Sequence, residues 1–188
     1  MSKLVCMETK TECRKRLFAQ RKQRALSPTI DELDRRIAAN VVQEITRVGS
    51  TRVSAYYPTS GEPGGRFLVP TLKQAGFTVF LPLSLDGGQL AWAEYIDDDH
   101  MAPGAYNIPE PTTDRVDQLT DAHIDFVIVP ALGADRAGHR LGKGGGYYDR
   151  LLAANPSIPR AMVVYADEVL EHIPYEAHDT QCDVIITD

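Results

Sequence analysis

DFVIVPALGADRAGHRLGKGGGYYD, residues 125–149, carries the pattern that decides the fold. It opens with DFVIVPAL (125–132), a continuous apolar run of the kind expected when both faces of a strand are buried. It ends in RLGKGGGYYD (140–149), where four glycines fall in the five positions 142–146. Glycine this dense is costly, because each one gives up more backbone freedom on ordering than any other residue. A buried strand, a loop and glycines opening a helix are the layout of an open α/β sheet, whose ligands sit beyond the carboxyl ends of the strands. Glycines admit positive φ and let backbone N–H groups approach an anion, and a helix N-terminus adds positive potential. Arg140 supplies a planar fork and Lys143 a point charge. Together these parts describe a cradle for phosphate. It is neither of the two common nucleotide motifs. Gly142-Lys143 is followed by Gly144 where a Walker A loop needs Ser or Thr, and position 137 is Ala; the run GxGGG does not make GxGxxG.

Outward from this stretch, strand and helix signals alternate. Residues 10–25 lack Gly and Pro and read as a helix carrying seven cations (Lys10, Arg14, Lys15, Arg16, Arg21, Lys22, Arg24) against one acid, Glu12. Most of those cations are expected on a solvated face. Ser27-Pro28, with Asp31 and Glu32 behind, predicts a helix start with Ser27 as N-cap. Ile30, Leu33, Ile37, Val41, Ile45 and Val48 form one apolar stripe, and Gly49 ends it. Strands are expected at 51–57, 77–82, 160–166 and 183–187, with an edge strand at 89–95 and a helix over 66–75 that Pro70 weakens. PTSGEPGG after the first strand is a loop, and a helix is expected near 146–154. The alternation predicts an α/β fold, a largely parallel sheet flanked by helices, in one domain over residues 1–188.

Composition narrows the function classes. At 43 % hydrophobic and 24 % charged the chain has the make-up of a globular protein, and a net charge of −6 disfavours nucleic acid and anionic membrane as partners. Cys6, Cys13 and Cys182 form no CxxC pair, so neither a disulfide framework nor a zinc site is expected. The histidines give no HExxH, and His172 and His178 are too far apart for one helical turn. The N-terminal residues do not resemble a signal peptide, and the longest apolar run, Phe126 to Ala134, is far short of a membrane span. A cytoplasmic protein is expected.

RLGKGGGYYD, preceded by VPALGADRAGH, resembles the signature of the 5-formyltetrahydrofolate cyclo-ligase (5,10-methenyltetrahydrofolate synthetase) family. Lys10-x3-Arg14, Glu62 after the first strand, GAYNIPEP (104–111) and EAHDTQCDVIIT (176–187) resemble further family segments in the same order. The resemblance implies a Rossmann-like open three-layer sandwich of the NagB/RpiA/CoA-transferase-like type. It also implies a Mg2+-dependent enzyme that uses ATP to convert 5-formyltetrahydrofolate to 5,10-methenyltetrahydrofolate, releasing ADP and phosphate.

Carried onto this chain, the resemblance gives Lys10 and Arg14 to the ATP phosphates from one helix face. Arg140, Leu141, Gly142, Lys143, Gly144, Gly145 and Gly146 would hold the triphosphate, with Tyr147 and Tyr148 between nucleotide and folate. Arg140, Lys143 and Tyr148 would be the catalytic groups. Glu62 would pair with pterin N–H donors, and Tyr57, Tyr106 and Tyr147 would wall the folate site. Asp149 and Asp179 would be the magnesium ligands, with Asp183 an alternative to Asp179. Trp92 is expected in core or edge-strand packing. The implied partners are small molecules only, in a monomer or homodimer. The other readings open at this level are an ATP-dependent kinase or ligase on a different small molecule, and a non-catalytic nucleotide- or folate-binding regulator.

Overall fold

A computed structural model describes residues 8–59, 61–176 and 179–188; Cys6 and His178 lie outside them. Four helices are formed: α1 (Lys10–Arg24), α2 (Ile30–Val48), α3 (Leu68–Gln74) and α4 (Tyr147–Ala154). The strands are β1 (Arg52–Ser54), β2 (Thr78–Ser84), β3 (Leu90–Glu94), β4 (Met101–Pro103), β5 (Pro109–Pro111), β6 (Arg115–Val116), β7 (Phe126–Pro130), β8 (Gly133–Asp135), β9 (Arg140–Leu141), β10 (Arg160–Val163), β11 (Val169–Leu170) and β12 (Val184–Ile186).

The main sheet has the order β12-β10-β7-β1-β2-β3-β6. From β12 to β2 all neighbours are parallel, and β3 and β6 close the far edge antiparallel. Side chains alternate across it as the strand period requires. Val53, Val79, Leu81, Phe126, Ile128 and Val163 face a core built with Ile37, Val41 and Ile45 of α2 and Leu68 and Leu72 of α3. Phe80, Val127, Val129 and Met162 face the other way, onto Leu152 of α4 and the 119–124 segment. Both faces of β7 are therefore covered, which is why its sequence is an unbroken apolar run.

The ends of the elements follow local chemistry. Thr9 and Glu12 form a capping box that starts α1. Gly49 stops α2 in the left-handed conformation, at φ 76°. Pro70 is the third residue of α3, where a missing N–H removes no bond within the helix.

Two sequence expectations are corrected. Ser27 is not the N-cap: α2 begins at Ile30, while the Ser27 Oγ accepts from the Thr29 N–H at 3.3 Å. β3 is not an edge strand, because β6 pairs outside it, and Trp92 is fully buried. The edges are β6 and, at the other end, β12, whose Val184 and Ile185 are only partly buried.

The loop expected after β7 is also a small sheet of its own, in the order β11-β8-β9. Cys13 and Leu17 of α1 pack against it, with Leu132, Leu141 and Ile173. α1 thus docks on the segment that leads into the glycines, and its polar residues are brought to the cradle.

Candidate active site

Two loops meet at the site. The first, after β1, is drawn tight around Glu62. Its Oε2 accepts from the Thr59 N–H at 2.7 Å and the Thr59 hydroxyl at 2.8 Å, so the carboxylate is buried yet partnered. The second is the glycine stretch between β9 and α4. Gly144 and Gly146 adopt φ of 107° and 66°, a region that side chains with a Cβ rarely enter. Gly146 stands at the N-cap of α4 with no side-chain cap. The first-turn N–H groups of that helix are therefore available to an anion. Lys143 joins the two loops: its Nζ lies 2.6 Å from the Glu62 Oε1.

α1 delivers two more cations. The Arg14 Nε donates to the Gly142 carbonyl at 2.9 Å, which fixes the entry to the glycine turn. Lys10 Nζ pairs with Asp179 at 2.7 Å and Glu176 at 2.9 Å. Partial burial pulls the Lys10 pKa down, but the bonds to Asp179 and Glu176 outweigh it and leave the ammonium above its ordinary value. Arg140 is buried, and its guanidinium donates both to the Asp149 carboxylate and to the Thr180 carbonyl. One side chain thereby ties Asp149 to the residue after Asp179.

The tyrosines divide. Tyr106 and Tyr147 meet hydroxyl to hydroxyl at 3.1 Å, and that bond raises the Tyr147 pKa. Tyr106 is largely exposed and sits at φ 55°, a strained conformation for an aromatic residue. Tyr148 turns inward. Its hydroxyl is buried without a hydrogen-bond partner, and burial followed by the Glu62 charge pushes its pKa up. Tyr57 is not brought to the cradle: it donates to Asp98 at 3.4 Å and lines a cavity of about 310 Å³ behind Glu62, to which none of residues 140–149 contributes.

Asp183 is separated from the other acids. It accepts from the Arg160 N–H at 2.9 Å, at the amino end of β10. Among the described residues no group of three or more His, Cys, Asp or Glu side chains is placed to hold a metal ion by itself.

The sequence did not reveal Arg150. It donates to the Gly88 carbonyl at 2.7 Å and the Gly145 carbonyl at 2.9 Å, and lies over the Tyr147 ring at 5.6 Å. Its place one helical turn after Gly146 was the available signal. Lys15, Arg16 and Lys22 of α1 are exposed, as expected of a solvated face, but the other α1 cations are not. Arg21 and Arg24 grip the fully buried Glu168.

Comparison with known proteins bears on the family and the fold. The chain is 33 % identical over 147 residues to a 5-formyltetrahydrofolate cyclo-ligase of Mycolicibacterium smegmatis, covering 75 % of each chain. It is 28 % identical over 173 residues to the enzyme of that name from Escherichia coli K12, covering 89 % of this chain and 95 % of that one. The fold is similar to the NMR structure of the Aquifex aeolicus 5,10-methenyltetrahydrofolate synthetase, with a TM-score of 0.73 and 30 % identity over 95 % of this chain and 89 % of the other. A Mycoplasma pneumoniae 5,10-methenyltetrahydrofolate synthetase shares the fold at a TM-score of 0.74 and 22 % identity, over 95 % and 98 % of the two chains. The model of one family matches residues 6–188, nearly the whole sequence, and the chain belongs to that family, the 5-formyltetrahydrofolate cyclo-ligases.

Proposed function

We propose that this chain, acting as one catalytic unit, uses ATP to close 5-formyltetrahydrofolate to 5,10-methenyltetrahydrofolate, with the residues above in the following roles. The observation that carries the assignment is the contact between Lys143 and Glu62 at 2.6 Å, which sets a phosphate cradle against an acid suited to a pterin. A formyl oxygen is a poor leaving group, so it must first be converted to a phosphate ester. The oxygen attacks the γ-phosphorus, ADP departs, and the formyl carbon becomes an iminium. N10 adds to that carbon and gives its proton to the departing phosphate, which leaves with the former formyl oxygen. Such a sequence needs positioning and charge neutralisation more than covalent help from the protein.

Lys143, Lys10, Arg14 and the backbone from Leu141 to Gly146 supply the positive surface for the triphosphate. Arg140, held between Asp149 and the Thr180 carbonyl, sets the geometry of the acids and keeps one edge of the cradle cationic. Glu62 offers a carboxylate to adjacent pterin N–H donors. Tyr106 and Tyr147 form an aromatic wall, and the unpartnered Tyr148 hydroxyl is a donor kept for a bound oxygen. Tyr57 supports the pterin loop from the cavity side.

A magnesium ion fits the donor set. Asp149 and Asp179 are hard oxygen ligands bracketing the Arg140 clamp, and this ion characteristically takes one or two carboxylates with water and phosphate completing its shell. Bound there, it would neutralise charge on the phosphate oxygens. Each acid is also paired with a cation of the cradle, so loading nucleotide and metal exchanges internal ion pairs for external ones. None of the helices described is long and apolar enough to cross a membrane, which fits the proposed cytoplasmic setting.

The decisive test incubates the purified protein with 5-formyltetrahydrofolate and Mg-ATP and follows the near-ultraviolet absorbance of the methenyl product. Product formation that requires ATP is expected. Intact ATP and no product would overturn the assignment.

A further inference from the structure

Behind Glu62 lies a buried polar chain that touches no phosphate or folate group in the mechanism above. Asp34, on α2, is 5 % exposed. Its Oδ1 accepts from the Gly64 N–H at 3.0 Å and the Tyr165 hydroxyl at 2.8 Å. The Tyr165 hydroxyl also lies 3.4 Å from the Glu62 carbonyl. On the Gly65 side the fit is close, since a Cβ there would stand 2.3 Å from the Asp34 Oδ2. Tyr165 is fixed in turn. Its N–H donates to Glu168 at 3.0 Å, and the Arg24 guanidinium lies over its ring at 4.1 Å. Glu168 is held by Arg21 and Arg24 of α1, the helix whose first turns carry Lys10 and Arg14.

A carboxylate removed from water is expensive unless it does something a neutral group could not or holds groups nothing else can reach. Asp34 holds a backbone amide in a glycine loop that has no other buried acceptor for it among the hydrogen bonds described. We propose that Asp34 is a positioning residue for folate recognition: through Tyr165 and Gly64 it fixes the backbone at the Glu62 carbonyl and just after it. It thereby sets where the Glu62 carboxylate stands. The proposal rests on the role of Glu62 given above and adds to it a residue outside the substrate contacts.

The test uses Asp34→Ala, Asp34→Asn, Glu62→Ala and the Asp34→Ala/Glu62→Ala double variant, with kcat and both KM values measured for each. Losing a buried charged acceptor that positions a loop should raise the 5-formyltetrahydrofolate KM about tenfold in Asp34→Ala while leaving the ATP KM within about twofold. Asp34→Asn keeps an oxygen for both donors and should stay within about threefold of wild type. Asp34→Ala should add less than about twofold on top of Glu62→Ala, because residues acting through one another are not additive. A fall in kcat with both KM values unchanged, or a full multiplicative effect in the double variant, overturns the proposal, since either marks a merely structural role. If Asp34→Ala does not fold, Tyr165→Phe removes one hydroxyl from the same chain and should raise the folate KM about threefold; an unchanged KM overturns it equally. Failure of the underlying assignment shows separately. A wild-type protein without methenyl product, or a Glu62→Ala variant with the wild-type folate KM, removes the role of Glu62 and the proposal with it.

Discussion

The two loops that meet at Lys143 and Glu62 are both rich in glycine, and they are built in opposite ways. The loop after β1 is held from behind. Tyr56 donates to the Pro63 carbonyl at 2.8 Å, Asp34 accepts from Gly64, and Thr59 secures the Glu62 side chain. The 142–146 loop is largely exposed, and its side chains and neighbours sit in ion pairs whose partners the proposed nucleotide and metal would exchange. A flat heterocycle with fixed N–H donors is recognised best by groups that are already in place. A flexible triphosphate is instead gathered by backbone N–H groups and cations that can exchange partners. The difference between the loops matches the difference between the ligands proposed for them.

The strongest way to break this comparison is Arg140→Ala. Arg140 is a buried cation beside the open loop, and it joins the Asp149 carboxylate to the Thr180 carbonyl, next in the chain to Asp179. Its loss should lower kcat by about 10³-fold or more, as removal of preorganised charge at a phosphoryl-transfer site does. Because Asp149 and the Thr180 carbonyl then lose their donor, the fold should also lose about 2 kcal/mol, read by denaturant melts. Near-normal turnover would show that the exposed loop organises itself without the clamp.

Tyr148→Phe separates catalysis from stability. A buried hydroxyl without a partner destabilises the fold, so removing it should add about 1 kcal/mol to the unfolding free energy. If that hydroxyl is kept for substrate, kcat should fall about tenfold in the more stable protein. A variant that is both more stable and fully active would place the hydroxyl outside the reaction.

How far these contrasts could be read from the sequence depends on the range of the contacts. DFVIVPAL announced β7 because burial on both faces leaves a continuous apolar run, and the glycines of 142–146 announced the turn that opens α4, where the proposed phosphate cradle lies. The β8–β9 hairpin was invisible. GADRAGH has the composition of a turn, and β8 is completed by β11, a partner from beyond α4 and β10. The predicted strand 51–57 stops at Ser54, because the chain leaves the ladder to form the Glu62 loop. The support behind that loop was equally hidden. Asp34 and Tyr165 are 131 positions apart, and Arg21 and Glu168 are 147 apart, so no local pattern joins them. The residues proposed for the triphosphate in 140–146 are neighbours in the chain, whereas the contacts behind the Glu62 loop are assembled only by the fold.

Lys143→Met tests the contact between the loops. It removes a half-exposed cation from the triphosphate and releases Glu62 from its ion pair. The ATP KM should rise about tenfold, as for loss of one charge-assisted contact, while the folate KM stays level or falls. A rise in the folate KM instead would mean that Lys143 holds Glu62 in position and that the two loops are not independently built.

The smallest effect expected comes from charge alone in the tied loop. Burial raises the Asp34 carboxyl above its ordinary value, against the lowering effect of its bonds to Tyr165 and Gly64. Between an unfolded value of about 3.9 and the raised native one, the folded chain therefore binds a proton that the unfolded chain does not. Stability contributed by this group is greatest at low pH and declines as pH rises through the native value. Asp34→Asn keeps the acceptor oxygen and cannot ionise. It should unfold at a higher temperature than wild type at pH 7.5, with the gap closing as the pH falls below about 4. An equal gap at both pH values would assign the difference to packing. A gap that closes as described would show that the tied loop needs the geometry of Asp34 and not its charge, whereas the open loop, with Lys143 and Arg140, needs the charge itself.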